Sequence, residues 1–451
     1  VKFDPRLLIR PLASLSILAA LAISAAATSF SARSVQARTE GHLTGRSYAE
    51  SLAGLRTGHV SERQRLLNST ILNAHLSKGE QLHLHAGTLI EIGKTLRIGS
   101  GGALLGERGA NKATIYMPAS AFDNRRDPEG RYGANAVGID FSGELAGPLR
   151  PSVSVRIENI RLLSEQQQGR WLHAIVGRNV TKCVLRDIEI SGFPTAIGLA
   201  LASARACHVT GAYIHDFSDD TKWATLPQST GIEIDNDLVN GIPSTEIMID
   251  HFRIERVRVG GALLAKWGYQ TDGINVLSSA KRVDISDGHI SDVGEGIDTF
   301  GLDGTIRHVT ITNTYNFGLK FIHGAARNHV TDVTITNAGL AGVIFAGSDQ
   351  ASRDTAGNII RGIKISNIDP AGNWRAHSTA AIMISGRNTR RVPAENRIIG
   401  AEINLGANGK YGWLDQSTGR DNRGDNIRMK SGRSLDRPVL ILYRGSSVDR
   451  Q

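Results

Sequence analysis

One pattern governs the chain from about residue 150 onward: an apolar residue, another three positions on, and an Ile or Leu two beyond that. It reads Ile157/Ile160/Leu162, Leu185/Ile188/Ile190, Val209/Ala212/Ile214, Ile249/Phe252/Ile254 and Ile285/Gly288/Ile290. It continues as Ile306/Val309/Ile311, Val330/Val333/Ile335, Ile360/Ile363/Ile365 and Ile398/Ala401/Ile403. The tightest spacings between final anchors, Ile290 to Ile311 and Ile311 to Ile335, are 21 and 24 residues. A unit that short cannot bury its own apolar face, so successive units must stack on one another. A polar pair often follows the anchor, as in Ser291-Asp292, Thr312-Asn313, Thr336-Asn337 and Ser366-Asn367. Asn and Asp tolerate left-handed backbone and suit a tight corner between strands, where stacked Asn can form a ladder.

A second strand follows each corner. It starts on Gly and then alternates, as in Gly231-Ile232-Glu233-Ile234, Gly273-Ile274-Asn275-Val276, Gly296-Ile297-Asp298-Thr299 and Gly318-Leu319-Lys320-Phe321. Period-2 alternation puts one face in and one out. The Leu-x-x-Leu-x-Leu frame of a leucine-rich repeat is absent. The pattern predicts an all-β fold, a right-handed parallel β-helix of roughly ten to twelve coils. An open solenoid end needs a cap, and residues 61–77 read as an amphipathic helix with Leu66, Leu67, Ile71, Leu72 and Leu76 on one side. The runs that follow, Leu82-His83-Leu84 and Leu96-Arg97-Ile98 with Gly99-Ser100-Gly101-Gly102 as a turn, resemble the first coils of the pectate-lyase-like superfamily.

The N-terminal stretch has Lys2, Arg6 and Arg10, an apolar run from Leu12 to Ala27, and small residues at its end. That order reads as a secretory signal peptide, too short in its apolar part for a membrane anchor. The expected organisation is a signal over 1–32, a poorly ordered linker over 33–60, the β-helix over 61–425, and a C-terminal strand with a basic tail over 426–451. The protein is expected to be exported, periplasmic or extracellular, with no membrane span after signal cleavage. Its net charge of +9 favours anionic partners. No basic stripe with interleaved aromatics points to nucleic acid, so an acidic polysaccharide or oligosaccharide is the expected partner. Cys183 and Cys207 each lie two residues before the first anchor of successive coils and should stack. A disulfide and two free core thiols both fit that spacing.

The outward residue two after each Gly reads Val176, Gly198, Glu233, Asn275, Asp298, Lys320, Ile344, Met383 and Leu414 along the stack. Polar groups occupy consecutive coils and both flanks are apolar or small. The position before Gly reads Thr230, Asp272, Glu295, Phe317 and Ala341, adding two carboxylates to the same patch. Asp235 and His323 lie at its edges and Tyr315 nearby. Carboxylates roughly 5 Å apart across adjacent coils cannot all ionise freely, which separates them into an acid and a base or nucleophile. Asp272, Glu295, Asp298 and Lys320 are the candidate catalytic residues. Long insertions flank the block and carry Trp223, Trp267 and Tyr269, and a third carries Trp374, Arg375 and His377. Aromatic rings stack on sugars and Arg pairs with carboxylates. Glu233, Asn275, Trp223, Trp267, Tyr269, Tyr315, His323 and Arg375 are the candidate substrate-binding residues.

Gln270-Thr271-Asp272-Gly273-Ile274-Asn275 resembles the Asn-Thr-Asp-Gly-Ile-Asp segment of polygalacturonases. One coil on, Gly294-Glu295-Gly296-Ile297 lies where that family has Gly-Asp-Asp-x-Ile. The resemblance implies acid and base roles for Asp272 and Glu295 in hydrolysis without a cofactor. Gly294 replaces the third carboxylate, Phe317 stands at the family's His, and Val343-Ile344-Phe345 stands at its Arg-Ile-Lys. Two alternatives remain. A polysaccharide lyase or uronate epimerase would use Lys320 as the base, with Ca²⁺ on the acidic residues; the alginate-epimerase signature Asp-Pro-His is replaced by Asp369-Pro370-Ala371. A non-catalytic glycan binder or adhesin would use the same fold.

Overall fold

A computed structural model describes residues 47–122, 137–144, 150–165, 172–194, 197–217, 229–236, 241–257, 271–277, 280–430 and 446–450. Trp223, Trp267 and Tyr269 lie outside the described residues.

The chain from Ser47 is one parallel solenoid. The anchors stack one on the next. Leu162 pairs with Ile190, Ile190 with Ile214, Ile214 with Ile254, and Ile254 with Ile290. The column runs on through Ile311, Ile335 and Ile365 to Ile403. Every residue of these columns is buried. The corners take the predicted form: Asp292, Asn313, Asn337 and Asn367 all have positive φ, and Asn337 Nδ2 donates to Asn313 Oδ1 at 2.8 Å and Asn367 Nδ2 to Asn337 Oδ1 at 2.7 Å.

The cap is a helix over Glu62–Leu76, with the Ser61 hydroxyl accepting from Gln64 N–H at its start. Leu72 and Leu76 are buried, but Leu67 is 43% exposed. The apolar spacing predicts Leu67 on the packed side. Asn68 is buried in that face instead. Its amide donates to Arg56 O at 2.9 Å and Glu91 O at 3.0 Å and accepts from Arg56 N at 3.0 Å. These bonds tie the segment before the helix to the body. Residues 47–60 are therefore not the poorly ordered linker the composition suggested: Ser47 O accepts from His83 N, and Gly58 N donates to Leu89 O. At the other end the strand Asn422–Met429 crosses the boundary placed at 425, and Ser446–Arg450 pairs with it.

Cys183 and Cys207 form a disulfide, with Cα atoms 4.5 Å apart, inside the range a bridge requires. The inner column that holds them, two residues before the first anchor, runs through Ile247, Val283 and Gly304 to Asn328, Asn358, Asn396 and Asn422. The last four form a second, buried ladder. Asn328 Nδ2 donates to Asn358 Oδ1 at 2.9 Å, Asn358 to Asn396 at 2.8 Å and Asn396 to Asn422 at 3.0 Å. Each of the first two also bonds the backbone of the preceding coil: Asn328 accepts from Gly304 N and donates to Gly301 O, and Asn358 accepts from Asn328 N and donates to Ala325 O. An unpaired buried polar group costs about 1–3 kcal/mol, so Asn358→Ala should destabilise by roughly that amount or more. The exposed-ladder change Asn337→Ala should cost clearly less. Paired thermal or denaturant melts decide this, and equal losses would refute it.

Candidate functional site

The site grows from a column of glycines. A Cβ at Gly273 would lie 2.5 Å from Ile290 Cγ2 and 2.6 Å from Gly296 O; one at Gly296 would lie 2.6 Å from Ile311 Cγ2 and 2.5 Å from Gly318 O. The missing side chain thus points into the coil. Ile274 and Ile297, the next residues, also face inward and are buried. Two inward residues in a row break the alternation. The residue before Gly and the residue two after it therefore both face out, which is why Asp272 and Asn275, or Glu295 and Asp298, share one patch.

Parallel pairing sets them in register. Thr230 pairs with Asp272, Asp272 with Glu295, and Glu295 with Phe317. Glu233 pairs with Asn275, Asn275 with Asp298, and Asp298 with Lys320. Lys320 is followed by Ile344, Met383 and Leu414 as expected. One column member was misplaced. Ala200, not Gly198, pairs with both Val176 and Glu233; Gly198 belongs to the inward glycine column, since its Cβ would meet Ile214. The polar block is bounded by two outer apolar clusters. Val137, Val176, Ile197, Ala200 and Ala202 form one, and Phe317, Ile344, Met383 and Leu414 belong to the other.

The alternation predicts that these carboxylates face outward. They do face away from the coil interior, yet they are shut off from solvent: Asp272 is 1%, Glu295 2% and Asp298 3% exposed. One oxygen from each lies within 4.8 Å of the others. Lys320 Nζ donates to Glu295 Oε2 and to Asp298 Oδ2, each at 2.8 Å. Asn275 Nδ2 donates to Asp272 Oδ2 at 3.0 Å. Thr271, outside the predicted set, fixes the turn: its Oγ1 accepts from Gly294 N at 2.9 Å.

Burying an ionised carboxylate is costly. Burial pushes Asp298 up to about 7; Lys320 pulls its pKa down, and the adjacent Glu295 pushes it up again. Asp298 therefore holds a proton around neutrality. Glu295 Oε1 and Asp298 Oδ1 have no partner among the described residues, which gives that proton a place to sit. Burial works against the Lys320 charge, but Asp298, Glu295 and Asp272 outweigh it and hold the ammonium above the usual lysine range. Burial, with Lys320 adding to it, pushes His323 down to about 4, so it is neutral. Its Nδ1 lies 2.6 Å from Ser348 Oγ, and Phe300 meets its ring edge-on at 4.6 Å.

Glu233 and Asn275 are buried in the block, and Asp235 is buried beside it. Tyr315 stands apart, around the corner, with Trp374 edge-on at 5.4 Å. Arg375 is exposed on the loop beyond Trp374; among the described residues it makes no ion pair.

A profile of the right-handed β-helix region matches residues 173–360, the stretch that carries the glycine column and the polar block. No curated protein sequence matches the chain. Solved structures do. The catalytic domain of a GH87 alpha-1,3-glucanase in complex with nigerose superposes at TM-score 0.55 and 12% identity over 86% of this chain and 66% of that domain, just under two thirds of it. A surface adhesin of Streptococcus pneumoniae superposes at TM-score 0.59 and 9% identity over 85% of this chain and 91% of that one. The A-module of a mannuronan C-5 epimerase from Azotobacter vinelandii gives 0.56 and 10%, over 89% and 98%. At these identities the likeness is one of fold, and the chain is a right-handed parallel β-helix. Among the described residues no helix is long and apolar enough to cross a membrane.

Two outcomes follow from the charge pattern. Asp298 has a folded pKa near 7, above the unfolded value of about 3.9. Its contribution is fully present below the unfolded value and is lost as pH rises through 7. Melting temperature from pH 5 to 9 should fall more steeply for the parent than for Asp298→Asn; parallel curves would refute the assignment. Lys320→Met strands two buried carboxylates and should cost about 3–5 kcal/mol, read by denaturant unfolding.

Proposed function

We propose that this protein is a carbohydrate-active enzyme that breaks glycosidic bonds by general acid–base hydrolysis at Asp272, Glu295 and Asp298. One observation carries the reading: three buried carboxylates lie within 4.8 Å of one another, and one of them, Asp298, keeps a proton near neutrality. Glycoside hydrolysis needs that division between a carboxylic acid and a carboxylate. Asp298 is the acid that protonates the leaving oxygen. Asp272, held by the Asn275 amide, is the carboxylate that serves as base or nucleophile. Glu295 shares the Lys320 ammonium with Asp298 and sets how readily Asp298 releases its proton. The glycan-active enzymes among the structures of like fold support this choice, although the adhesin shares the fold as well.

The lyase or epimerase reading asks Lys320 to act as a base, which requires a lowered pKa. Its neighbours raise it. The same ammonium sits against two of the three carboxylates that would hold Ca²⁺, so these residues do not fit a bound cation while Lys320 stays in place. Recognition of a uronate carboxylate by Lys320 would likewise compete with both existing ion pairs. An acidic polysaccharide thus draws its support from the net charge of +9, and not from this lysine. The disulfide supports export to an oxidising compartment, periplasmic or extracellular.

The test is a panel of neutral and acidic glycans, read by new reducing ends and by ultraviolet absorbance. Hydrolysis gives reducing ends without the unsaturated uronate of a β-elimination. On a degraded substrate, Asp298→Asn and Asp272→Asn should each lower turnover by a factor on the order of a hundred or more, and parent activity should decline as pH rises through 7. Full activity in both variants would remove the site from catalysis. Binding of a panel glycan with no turnover would favour a passive binder.

A further inference from the structure

The strand Lys281–Thr299 and its neighbour Thr305–Phe321 fall out of step beside the carboxylates. Val293 pairs with Thr314 and Glu295 with Phe317. Gly294 alone therefore faces Tyr315 and Asn316. The extra residue is a β-bulge, a device that re-aims side chains next to functional sites. Here it turns Tyr315 toward the Asn corner. Trp374, on the loop after Asp369, meets it: its indole N–H donates to Tyr315 O at 2.9 Å, and its backbone N–H donates to Asp369 Oδ1 at 3.1 Å. Gly339 makes room, since a Cβ there would lie 1.8 Å from Tyr315 O and 2.8 Å from Trp374 Nε1. The aromatic wall is thus fixed in advance by backbone hydrogen bonds.

At this corner lies a groove of about 250 Å³, lined by Tyr315, Trp374, Asn313, Asn337 and Asp369 among others. It falls short of the roughly 300–1,000 Å³ that drug-sized ligands occupy, which suits one sugar ring. Asp369 is 1% exposed, and its Oδ2 has no partner among the described residues. A hydroxyl donor would satisfy it. Asp292 also lines the groove, and among the described residues no Lys or Arg does. Val293 is two residues from Glu295 along its strand, roughly 7 Å at 3.3 Å per residue, and Tyr315 is the same distance from Phe317, the residue paired with Glu295.

From these contacts we infer that the Tyr315–Trp374 groove binds a neutral hexosyl unit, next along the glycan from the bond broken at the carboxylate block. The inference rests on the proposed hydrolysis for the second clause only. An acceptor-rich, negatively charged floor takes sugar hydroxyls and repels a uronate.

The probes are nigerotetraose, neutral, and tetramannuronate, acidic, titrated calorimetrically against the full chain. The expected result is binding of nigerotetraose in preference to tetramannuronate, weakened about tenfold in Trp374→Ala, the loss of one ring contact. Because Trp374→Ala also removes the indole hydrogen bond that anchors its loop, Asp292→Asn is the second variant. Asn tolerates the positive φ there, and the change, which removes a negative charge from the floor, should strengthen tetramannuronate binding severalfold relative to nigerotetraose. Unaltered affinities in both variants, or tighter binding of tetramannuronate by the parent, would overturn the subsite. Trp374-dependent binding without any turnover would uphold it and remove the hydrolytic reading, whereas loss of turnover in Asp298→Asn with no effect at Trp374 would do the reverse.

Discussion

Coil-to-coil register is the constraint on which everything else here depends. Hydrogen bonds between parallel strands repeat without regard to side chains, so the ladder alone would permit a slip. The isoleucine columns forbid it. A shift of one residue would turn Ile254, Ile290 and Ile311 out of the interior and their polar neighbours in. Once that register holds, residues distant in sequence meet at strand spacing, about 4.8 Å. Asp272, Glu295 and Phe317 become one column, and Asn275, Asp298 and Lys320 another. The glycine column then merges the two by pointing two consecutive residues inward. The carboxylate block is a product of packing on the other side of the same strand.

Charge balance decides what the block can do. Lys320 is the internal counter-ion, fixed against Glu295 and Asp298. Burial, with Glu295 alongside, outweighs the Lys320 ammonium and keeps a proton on Asp298 near neutrality. The same ammonium is held firmly protonated by the carboxylates around it. Acid catalysis by a carboxyl and base catalysis by lysine are therefore competing uses of one charge set, and this arrangement favours the first.

The architecture was legible because its signal is periodic. The Ile anchors, the corner Asn and Asp residues and the glycine strands each repeat and vary independently, and all converge on one fold. The paired columns were legible for the same reason, down to Lys320 opposite Asp298. The reading failed where the period alone does not decide. Gly198 was assigned by its identity, whereas the coil there carries Ala200 in the outward column. Leu67 was packed by its hydrophobicity, whereas Asn68 takes the buried position through three hydrogen bonds. The buried ladder from Asn328 to Asn422 lay in the same column as the two cysteines, so a signal existed, but Asn in an interior column reads as a corner residue until its partners above and below are seen. Burial of the carboxylates had no sequence signal at all, because outward alternation says which way a side chain points and not what surrounds it.

The bulge at Gly294 marks the limit of a regular solenoid as a scaffold. A perfect repeat offers the same environment on every coil and cannot, by stacking alone, place an aromatic wall beside a carboxylate cluster. One additional residue in the strand Thr305–Phe321 changes that. It lets Tyr315 leave the column while Phe317, Leu319 and Phe321 return to register with Glu295, Ile297 and Thr299. Trp374 then anchors on the carbonyl the bulge exposes, across a Gly339 that no larger residue could replace without displacing it. The irregularity is local because the Ile290–Ile311–Ile335 stack continues unbroken beneath it. A rigid core and a single inserted residue are together enough to turn a repetitive fold into one with a directional site.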